Sequence, residues 1–242
     1  PTCYVVEKAY IYASMSGTSI PLNITIVNPA LVSNTYPAVS IGTGADKCWG
    51  YGGTTSYRVD VTAAISGNGN YLISGWPTNT PTPQKDTDGA SLFIIYSDPT
   101  AAYEGHMVIN DGCCIQIGGT NTQTMNGIAA CANSTFGRAF AIFGDLQPAF
   151  STGGSQTLAN TPNPGFTMGM FDWQQVACNV TAGQNTATYS HFGPSDCFNF
   201  MAMGLYYRTT TCTTCPSSSS NLTVVPSNAQ PTCNICNGSV SV

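Results

Sequence analysis

The segment "ASLFIIYS", residues 90–97, decides the fold class of this 242-residue chain. It has apolar side chains at consecutive positions, and Pro77, Pro81 and Pro83 mark a loop before it. A continuous apolar run of this length, followed by turn-forming residues, is typical of a strand that is buried on both faces. We therefore expect residues 90–97 to form a strand in the middle of a β-sandwich.

The remaining chain consists of short segments with strand character, separated by Gly, Pro and Asn. Residues 4–13 and 20–27 alternate between apolar and polar side chains with a period of two, as half-buried strands do. The other candidate strands are residues 56–65, 71–76, 106–111, 113–118, 137–144 and 198–208. No window of ten or more residues has helical periodicity. The pattern predicts an all-β fold, an antiparallel β-sandwich with jelly-roll character.

An internal repeat indicates two related halves. Residues 59–74, followed by 88–98, parallel residues 177–192, followed by 195–208. Each copy contains Val-Thr-Ala, followed by a Gly/Asn turn, a strand, a loop with an Asp and a long apolar strand. Because any two hairpins in a Thr/Asn-rich chain share some of these features, coincidence is the alternative interpretation.

The charge content excludes several classes of partner. Only 7% of the residues are charged, six basic against eleven acidic, and the net charge is −5. Six basic side chains spread over the chain cannot form the stripe that neutralises phosphates, which excludes nucleic acid and disfavours anionic membrane surfaces. The longest apolar runs, residues 92–96 and 200–207, fall short of the roughly 18–20 residues needed to cross a bilayer.

The cysteine content and the absence of a leader-like start indicate a secreted or cell-surface protein. Eleven cysteines in a chain with so few charges are typical of an oxidising compartment. The chain starts at Pro1 without a leader-like pattern, as expected for a processed product. Candidate glycosylation sequons are present at Asn23, Asn133, Asn179, Asn221 and Asn237.

The last residues differ in composition from the rest, and we place a boundary between residues 1–208, the β-sandwich domain, and residues 209–242, a linker and strand-forming tail. The tail has no charged residue, and nine of the residues 209–220 are Ser or Thr. Two C-x-x-C pairs, Cys212/Cys215 and Cys233/Cys236, are 17 residues apart, which fits a four-cysteine zinc site. Oxidation would remove the thiolate ligands, however, so we expect these cysteines to form disulfides or to be surface thiols.

The cysteines of the sandwich suggest further cross-links. Cys178 and Cys197 flank a hairpin-like segment and are candidates for one disulfide. Cys131 is a candidate to bond with Cys113 or Cys114, which should point to opposite faces of one strand. Eleven is an odd number, so at least one thiol is either a buried free cysteine, which we favour, or part of a bond between chains.

No catalytic or strong metal motif is present, so we expect no enzyme and no cofactor. The two histidines, His106 and His191, lie outside any G-x-S-x-G elbow, and the two glutamates, Glu7 and Glu104, lie in no recognisable glycosidase motif. Asp86 and Asp88 in "KDTDG" resemble a calcium loop, but the full EF-hand pattern is missing. Turn formation by these aspartates is the favoured alternative.

Several of these segments resemble a known family. "KAYIYA", "YRVDVTAAISGNGNYLISG", "DGASLFIIYSDPT" and "MVINDG" occur in this order, and the third is the most distinctive. Over residues 4–208 the chain resembles a domain family of unknown function in secreted and cell-surface proteins of bacteria and archaea. The resemblance implies a jelly-roll-like domain in adhesin-like or filament-forming proteins. The closing "PTCNICNGSVSV" resembles the start of repeats in Bacteroidota surface adhesins, without their usual continuation.

These observations predict a structural subunit that assembles with itself. An open sheet edge can accept a strand from a neighbour, and such a head-to-tail contact propagates as a filament. The candidate donors are residues 221–227, residues 236–242 and the N-terminal residues 2–13. The alternative is a monomeric carbohydrate-binding or adhesion module of a larger protein, whose binding platform would expose Trp49, Tyr51, Trp76 or Trp173.

Overall fold

The structure is a computed structural model that describes residues 4–81, 84–147, 153–163, 171–193, 195–209 and 238–241. Antiparallel β-sheets account for almost all of its regular structure, which confirms the all-β sandwich prediction. The chain divides into two compact units, Pro1–Thr100 and Ala101–Val242. The proposed domain boundary at residue 208 stays a prediction, because residues 210–237 lie outside the described part.

The first unit is built from seven strands and one 3-10 turn, Thr62–Ala64. The strands are β1 Val5–Ser16, β2 Leu22–Val27, β3 Ser33–Gly44, β4 Thr54–Asp60, β5 Leu72–Ser74, β6 Thr80–Pro81 and β7 Gln84–Ser97. Their order is β5-β2-β3-β4-β1-β7-β6. β3 turns the corner between the two faces, because its first half pairs with β2 and its second half, from Val39 onward, pairs with β4 with a register shift between Ser40 and Gly42.

The core of the first unit lies between β1, β2, β4 and the 3-10 turn. Its fully buried side chains are small or β-branched, as the period-two pattern of the sequence requires. They are Ala9, Ile11, Ile24, Ile26, Val59, Val61 and Ala64.

The second unit consists of two sheets. Its strands are β8 Glu104–Ile117, β9 Thr120–Asn126, β10 Ser134–Gly144, β11 Ser155–Leu158, β12 Thr161–Asn163, β13 Asp172–Val180, β14 Thr186–Phe192, β15 Cys197–Thr209 and β16 Gly238–Ser241. One sheet has the order β13-β10-β15-β8-β16 and the other has the order β12-β11-β14-β9. The chain crosses between the sheets so that β8 to β15 form an eight-stranded jelly roll.

The central strand of the second unit explains the apolar run at residues 198–208. β15 lies between β10 and β8, and nearly all of its residues are buried. Met203, Leu205 and Tyr207 face the core, whereas Gly204 lies under the ring of Phe140 on the other face. A strand that is covered on both faces reads as a continuous apolar run.

Six strands of the two units pair in the same way. In the first unit β1 lies between β4 and β7, and β2 lies between β3 and β5. In the second unit β10 lies between β13 and β15, and β11 lies between β12 and β14. The internal repeat of the sequence therefore corresponds to β4, β5 and β7 in one unit and to β13, β14 and β15 in the other.

The predicted central position of residues 90–97 is wrong. These residues form the second half of β7, whose neighbours are β1 on one side and only the two-residue strand β6 on the other. Burial on both faces still accounts for much of their apolar character, since residues 91–95 are all partly or fully buried although the strand lies near the edge of its sheet.

Candidate functional site

The long edge of β7 is the least covered part of the first unit's core. Leu92 lies opposite Ile11 and Ile94 lies opposite Ala9, so both side chains point toward the core. Both are only partly buried. Tyr96, on the same face, is 54% exposed and makes an edge contact with Tyr4. The outer edge of β7 from Asp86 onward has no strand beside it among the described residues of this unit.

The corresponding edge of the second unit is occupied. β8 pairs with β15 along its whole length, and β16 pairs antiparallel with the outer side of β8, from Gly238 opposite Asp111 to Ser241 opposite Val108. Sheet edges with unpaired backbone groups attract further strands. The pairing of β16 shows that the C-terminal tail can add to such an edge.

The connection to β16 is much longer than its path requires. Thr209 lies opposite Glu104 and Gly238 lies opposite Asp111, seven positions further along β8. Seven residues of a strand span about 23 Å. The intervening residues 210–237 can extend to roughly 90 Å. The length of the connection therefore does not restrict the tail to the edge of its own copy.

The two histidines lie apart and each has a structural environment. His106 on β8 stacks on Tyr207 at 4.9 Å, and its Nε2 is 2.9 Å from Thr209 Oγ1. Burial lowers the pKa of His106, and Glu104, 3.9 Å away, opposes that shift. His191 on β14 is fully buried among the rings of Phe143 and Phe200, and burial lowers its pKa to about 3. Neither imidazole is in a position typical of a general base.

The carboxylates that sequence reasoning considered for catalysis are also separated. Glu7 lies in β1 and accepts a hydrogen bond from Ser97 Oγ, whereas Glu104 begins β8 in the second unit. Within the described ranges no three His, Cys, Asp or Glu side chains converge on a possible metal position.

The suggested calcium loop is instead a strand. Asp86 and Asp88 both belong to β7, and Asp86 Oδ1 accepts a hydrogen bond from the Asn79 amide at 3.0 Å. The "KDTDG" sequence predicts a turn because Asp and Gly are poor strand formers. Pairing with β1 overrides that preference, with Gly89 opposite Ser14 and Thr87 opposite Met15.

The disulfide predictions for the sandwich are wrong. Cys178 is a thiol, while Cys197 is disulfide-bonded. Cys178 lies in β13 and Cys197 in β15, with β10 between them. Two strand spacings are about 9.6 Å, which exceeds the reach of a disulfide.

Cys131 is disulfide-bonded, but Cys113 and Cys114 are buried thiols on opposite faces of β8, so neither is its partner. Burial raises the pKa of the Cys178 thiol, which keeps it protonated. Cys48 is the third disulfide-bonded cysteine of the described residues. Cys212, Cys215, Cys233 and Cys236 lie outside the described residues, so their bonding stays a prediction.

Three of the five sequons lie in described segments and all three are accessible. Asn23 in β2, Asn133 before β10 and Asn179 in β13 are exposed. Asn221 and Asn237 lie outside the described residues. The accessible positions are compatible with glycosylation, which stays a prediction.

The aromatic residues proposed as a binding platform are not exposed. Trp49, Tyr51, Trp76 and Trp173 are all partly buried. Trp76 packs against the first core and Tyr57, while Trp173 stacks on Phe140 with ring centroids 4.6 Å apart. These rings contribute to packing, as aromatic residues in sandwiches usually do.

An exposed aromatic and cationic cluster occurs elsewhere in the second unit, on β10, on β15 and on Tyr103, which immediately precedes β8. The Arg208 guanidinium lies 4.1 Å from the ring centre of Tyr103 and 3.9 Å from that of Phe136, and its Nε donates to Tyr206 Oη at 2.9 Å. Arg138 lies 5.1 Å from Phe136. Sequence reasoning missed this Arg208 cluster because its members are far apart along the chain. The one available signal was that two of only six basic residues belong to it.

Comparisons with known proteins give little further information. No family model matches the chain, and no curated protein matches it. A crystal structure of the infectious bursal disease virus VP2 subviral particle is 11% identical, with a TM-score of 0.31 over 88% of this chain. The structure of the Gx strain of the same virus is 10% identical, with a TM-score of 0.27 over 88% of this chain. The chain spans 58% of the length of each, and likenesses this distant carry no argument about its function.

Within the described residues, no helix is long and apolar enough to span a membrane.

Proposed function

We propose that this chain is a structural, non-catalytic subunit of an extracellular fibre that grows by strand exchange between copies. The observation that supports it most is the pairing of β16 on the edge of β8 at the end of a connection far longer than needed. The same pairing chemistry works between molecules, because main-chain hydrogen bonds do not depend on which copy supplies the strand. A contact between a tail and an edge elsewhere on the next copy does not close, so it propagates.

The strand pairing favours the tail over the N-terminal segment as the donor in this proposal. β1, which contains the N-terminal candidate, pairs with β4 on one side and β7 on the other. Donating β1 would remove the centre of the first unit's sheet. β16 is paired on one side only and belongs to an uncharged segment, so its release leaves β8 to β15 intact.

An extracellular location is part of the same proposal. Three disulfide-bonded cysteines support an oxidising compartment. Exposed Asn23, Asn133 and Asn179 could carry glycan, which would help to solubilise a surface with few charges.

Negative-stain electron microscopy of native, unreduced protein tests the proposal, and we expect ordered filaments. Val240→Pro should prevent them, since Val240 pairs with Ile109 and proline removes a backbone donor. Ser219→Pro, in the Ser-rich part of the tail, is the matched control and should still form filaments. Isolated particles from the native protein at every concentration would contradict the proposal. Loss of filaments in reductant would indicate that a disulfide between chains also holds the subunits together.

The second candidate function is an adhesion module that binds surface glycans, and the Arg208 cluster is the observation that favours it. Exposed rings stack on sugar faces, and guanidinium groups donate to hydroxyl or carboxylate oxygens. A glycan-binding screen of the native protein and of Tyr103→Ala tests this function. Binding that is lost in the variant would support it, whereas absence of binding in both would reject it.

A further inference from the structure

Two strand positions of the second unit's jelly roll have no counterpart in the first unit. In the second unit, β8 fills the position beside β15 and β9 fills the position beside β14. The equivalent strands of the first unit are β7, whose other neighbour is β1, and β5, whose other neighbour is β2, and no long strand within residues 4–81 and 84–100 lies on the outer side of either. The first unit therefore has the pairing pattern of a jelly roll without its first two strands.

Core-facing residues on strands without an outer neighbour are more exposed than those on strands with one. In the second unit, Leu205 and Tyr207 of β15 are 0% and 1% exposed because β8 lies beside them. In the equivalent strand of the first unit, β7, the core-facing Ile94 is only partly buried and Tyr96, two residues later, is 54% exposed. Tyr71 and Ile73, beside and within β5, are likewise only partly buried. The uncovered strip is therefore apolar and runs along two strand edges.

The shape and chemistry of this strip favour extended, uncharged segments as its binding partner. A strand edge without a neighbour is completed by an extended strand, as β8 completes the edge of β15 and β9 that of β14 in the second unit. The strip residues Leu92, Ile94, Tyr96 and Ile73 are uncharged, and so is every residue from 209 to 242. The tail contains two strand-forming fragments, residues 221–227 and 236–242, and part of the second pairs with a sheet edge as β16.

We infer that the tail of a second copy, residues 209–242, supplies the two strands that complete the first unit, pairing beside β7 and β5. This inference rests on the proposed strand exchange and identifies its acceptor. In the isolated subunit the end of the tail covers its own β8 edge as β16. In the fibre it moves to the edges of β7 and β5 of the neighbour.

A charge on the strip tests the acceptor without disturbing the fold. Tyr96→Lys should raise the concentration needed for filament growth at least about tenfold, since burial of an ammonium group in the contact is unfavourable. Tyr96 is already 54% exposed, so the melting temperature of the monomer should not change. Val39→Lys, at a 55% exposed position of β3, is the matched control and should polymerise like the native protein.

Complementation between two defective variants identifies donor and acceptor together. Tyr96→Lys has a blocked acceptor edge and an intact tail. Val240→Pro has an intact acceptor edge and a tail that cannot pair. Each alone should remain monomeric, and an equimolar mixture should form a one-to-one dimer in light scattering, with no filaments.

The outcomes separate the two proposals. Native protein without filaments would contradict the proposed function itself. Native filaments together with unaffected polymerisation of Tyr96→Lys, or a mixture without dimers, would overturn only the assignment of the acceptor. Slow hydrogen exchange in the monomer at those amides of residues 86–97 that point away from β1 would also overturn it, because the outer edge of β7 would already be covered.

Discussion

Tyr96 of β7 and Tyr207 of β15 each follow a core-facing residue by two positions, Ile94 and Leu205, yet Tyr96 is 54% exposed and Tyr207 is 1% exposed. The two strands are equivalent in the two units, and they differ in the strand beside them. Tyr207 stacks on His106 of β8, whereas no described strand of the first unit lies on the outer side of β7 at Tyr96. The burial of these two rings thus differs because β8 has no counterpart among the described strands of the first unit.

The two tyrosines should respond differently to truncation in the monomer. Tyr207→Ala removes a buried ring and should lower the free energy of unfolding by about 3–5 kcal/mol. Tyr96→Ala should lower it by less than about 1 kcal/mol, because the ring is already largely in water. Urea unfolding of both variants measures the difference. Equal losses would mean that Tyr96 is covered within the monomer.

Gly204 makes room for an aromatic stack across three strands. A Cβ atom at this position would lie 1.9 Å from Phe140 Cζ, and Phe140 stacks on Trp173. Gly204→Ala should therefore destabilise the protein by about 1–3 kcal/mol through overpacking. In a Phe140→Ala background the same substitution should cost little, and a double-mutant cycle measures this coupling. An additive cycle would show that the ring and the glycine do not interact.

The buried His191 should make the protein acid-sensitive. Its folded-state pKa of about 3 lies below the ordinary value of 6.5, so the unfolded chain binds the proton first as the pH falls. Stability from this group is complete above pH 6.5 and decreases as the pH falls toward 3, by up to about 1.4 kcal/mol per pH unit.

His191→Phe removes the proton-binding site while keeping a ring beside Phe143 and Phe200. The variant should lose that part of the pH dependence between 6.5 and 3, as measured by urea unfolding at several pH values. An identical pH dependence in both proteins would contradict the assigned state of His191.

Three thiols should be protected from reagents in the native state. Cys113, Cys114 and Cys178 are buried and not disulfide-bonded. Without reductant, iodoacetamide should leave the peptides that contain them unmodified in buffer and alkylate them in denaturant. Peptide mass spectrometry reads out both states, and rapid modification in buffer would show that these positions open.

Strands with alternating or continuous apolar residues could be predicted from the sequence, whereas strands of mainly polar residues could not. Residues 4–13, 20–27 and 198–208 lie within or largely overlap β1, β2 and β15. β3 was missed because it contains Pro37, and β9 because "TNTQTMN" is polar enough to resemble a loop. Both are held by pairing with neighbours that the local sequence does not reveal.

The candidate site depended on pairing information that no local pattern contains. The apolar run 90–97 correctly predicted a strand, but its predicted central position in the sheet was wrong. Burial of a strand's two faces does not determine whether a neighbouring strand pairs with its edge. The internal repeat indicated the two related halves. That one half lacks the strands equivalent to β8 and β9 became visible only in the sheet order.

A helical reconstruction of the native filaments by cryo-electron microscopy tests the central claim most directly. The account predicts two additional strands beside β7 and β5 of each first unit, with density that continues to Thr209 at the end of β15 in the adjacent copy. Filaments in which the edge of β7 faces solvent, while each tail remains on its own β8, would contradict it.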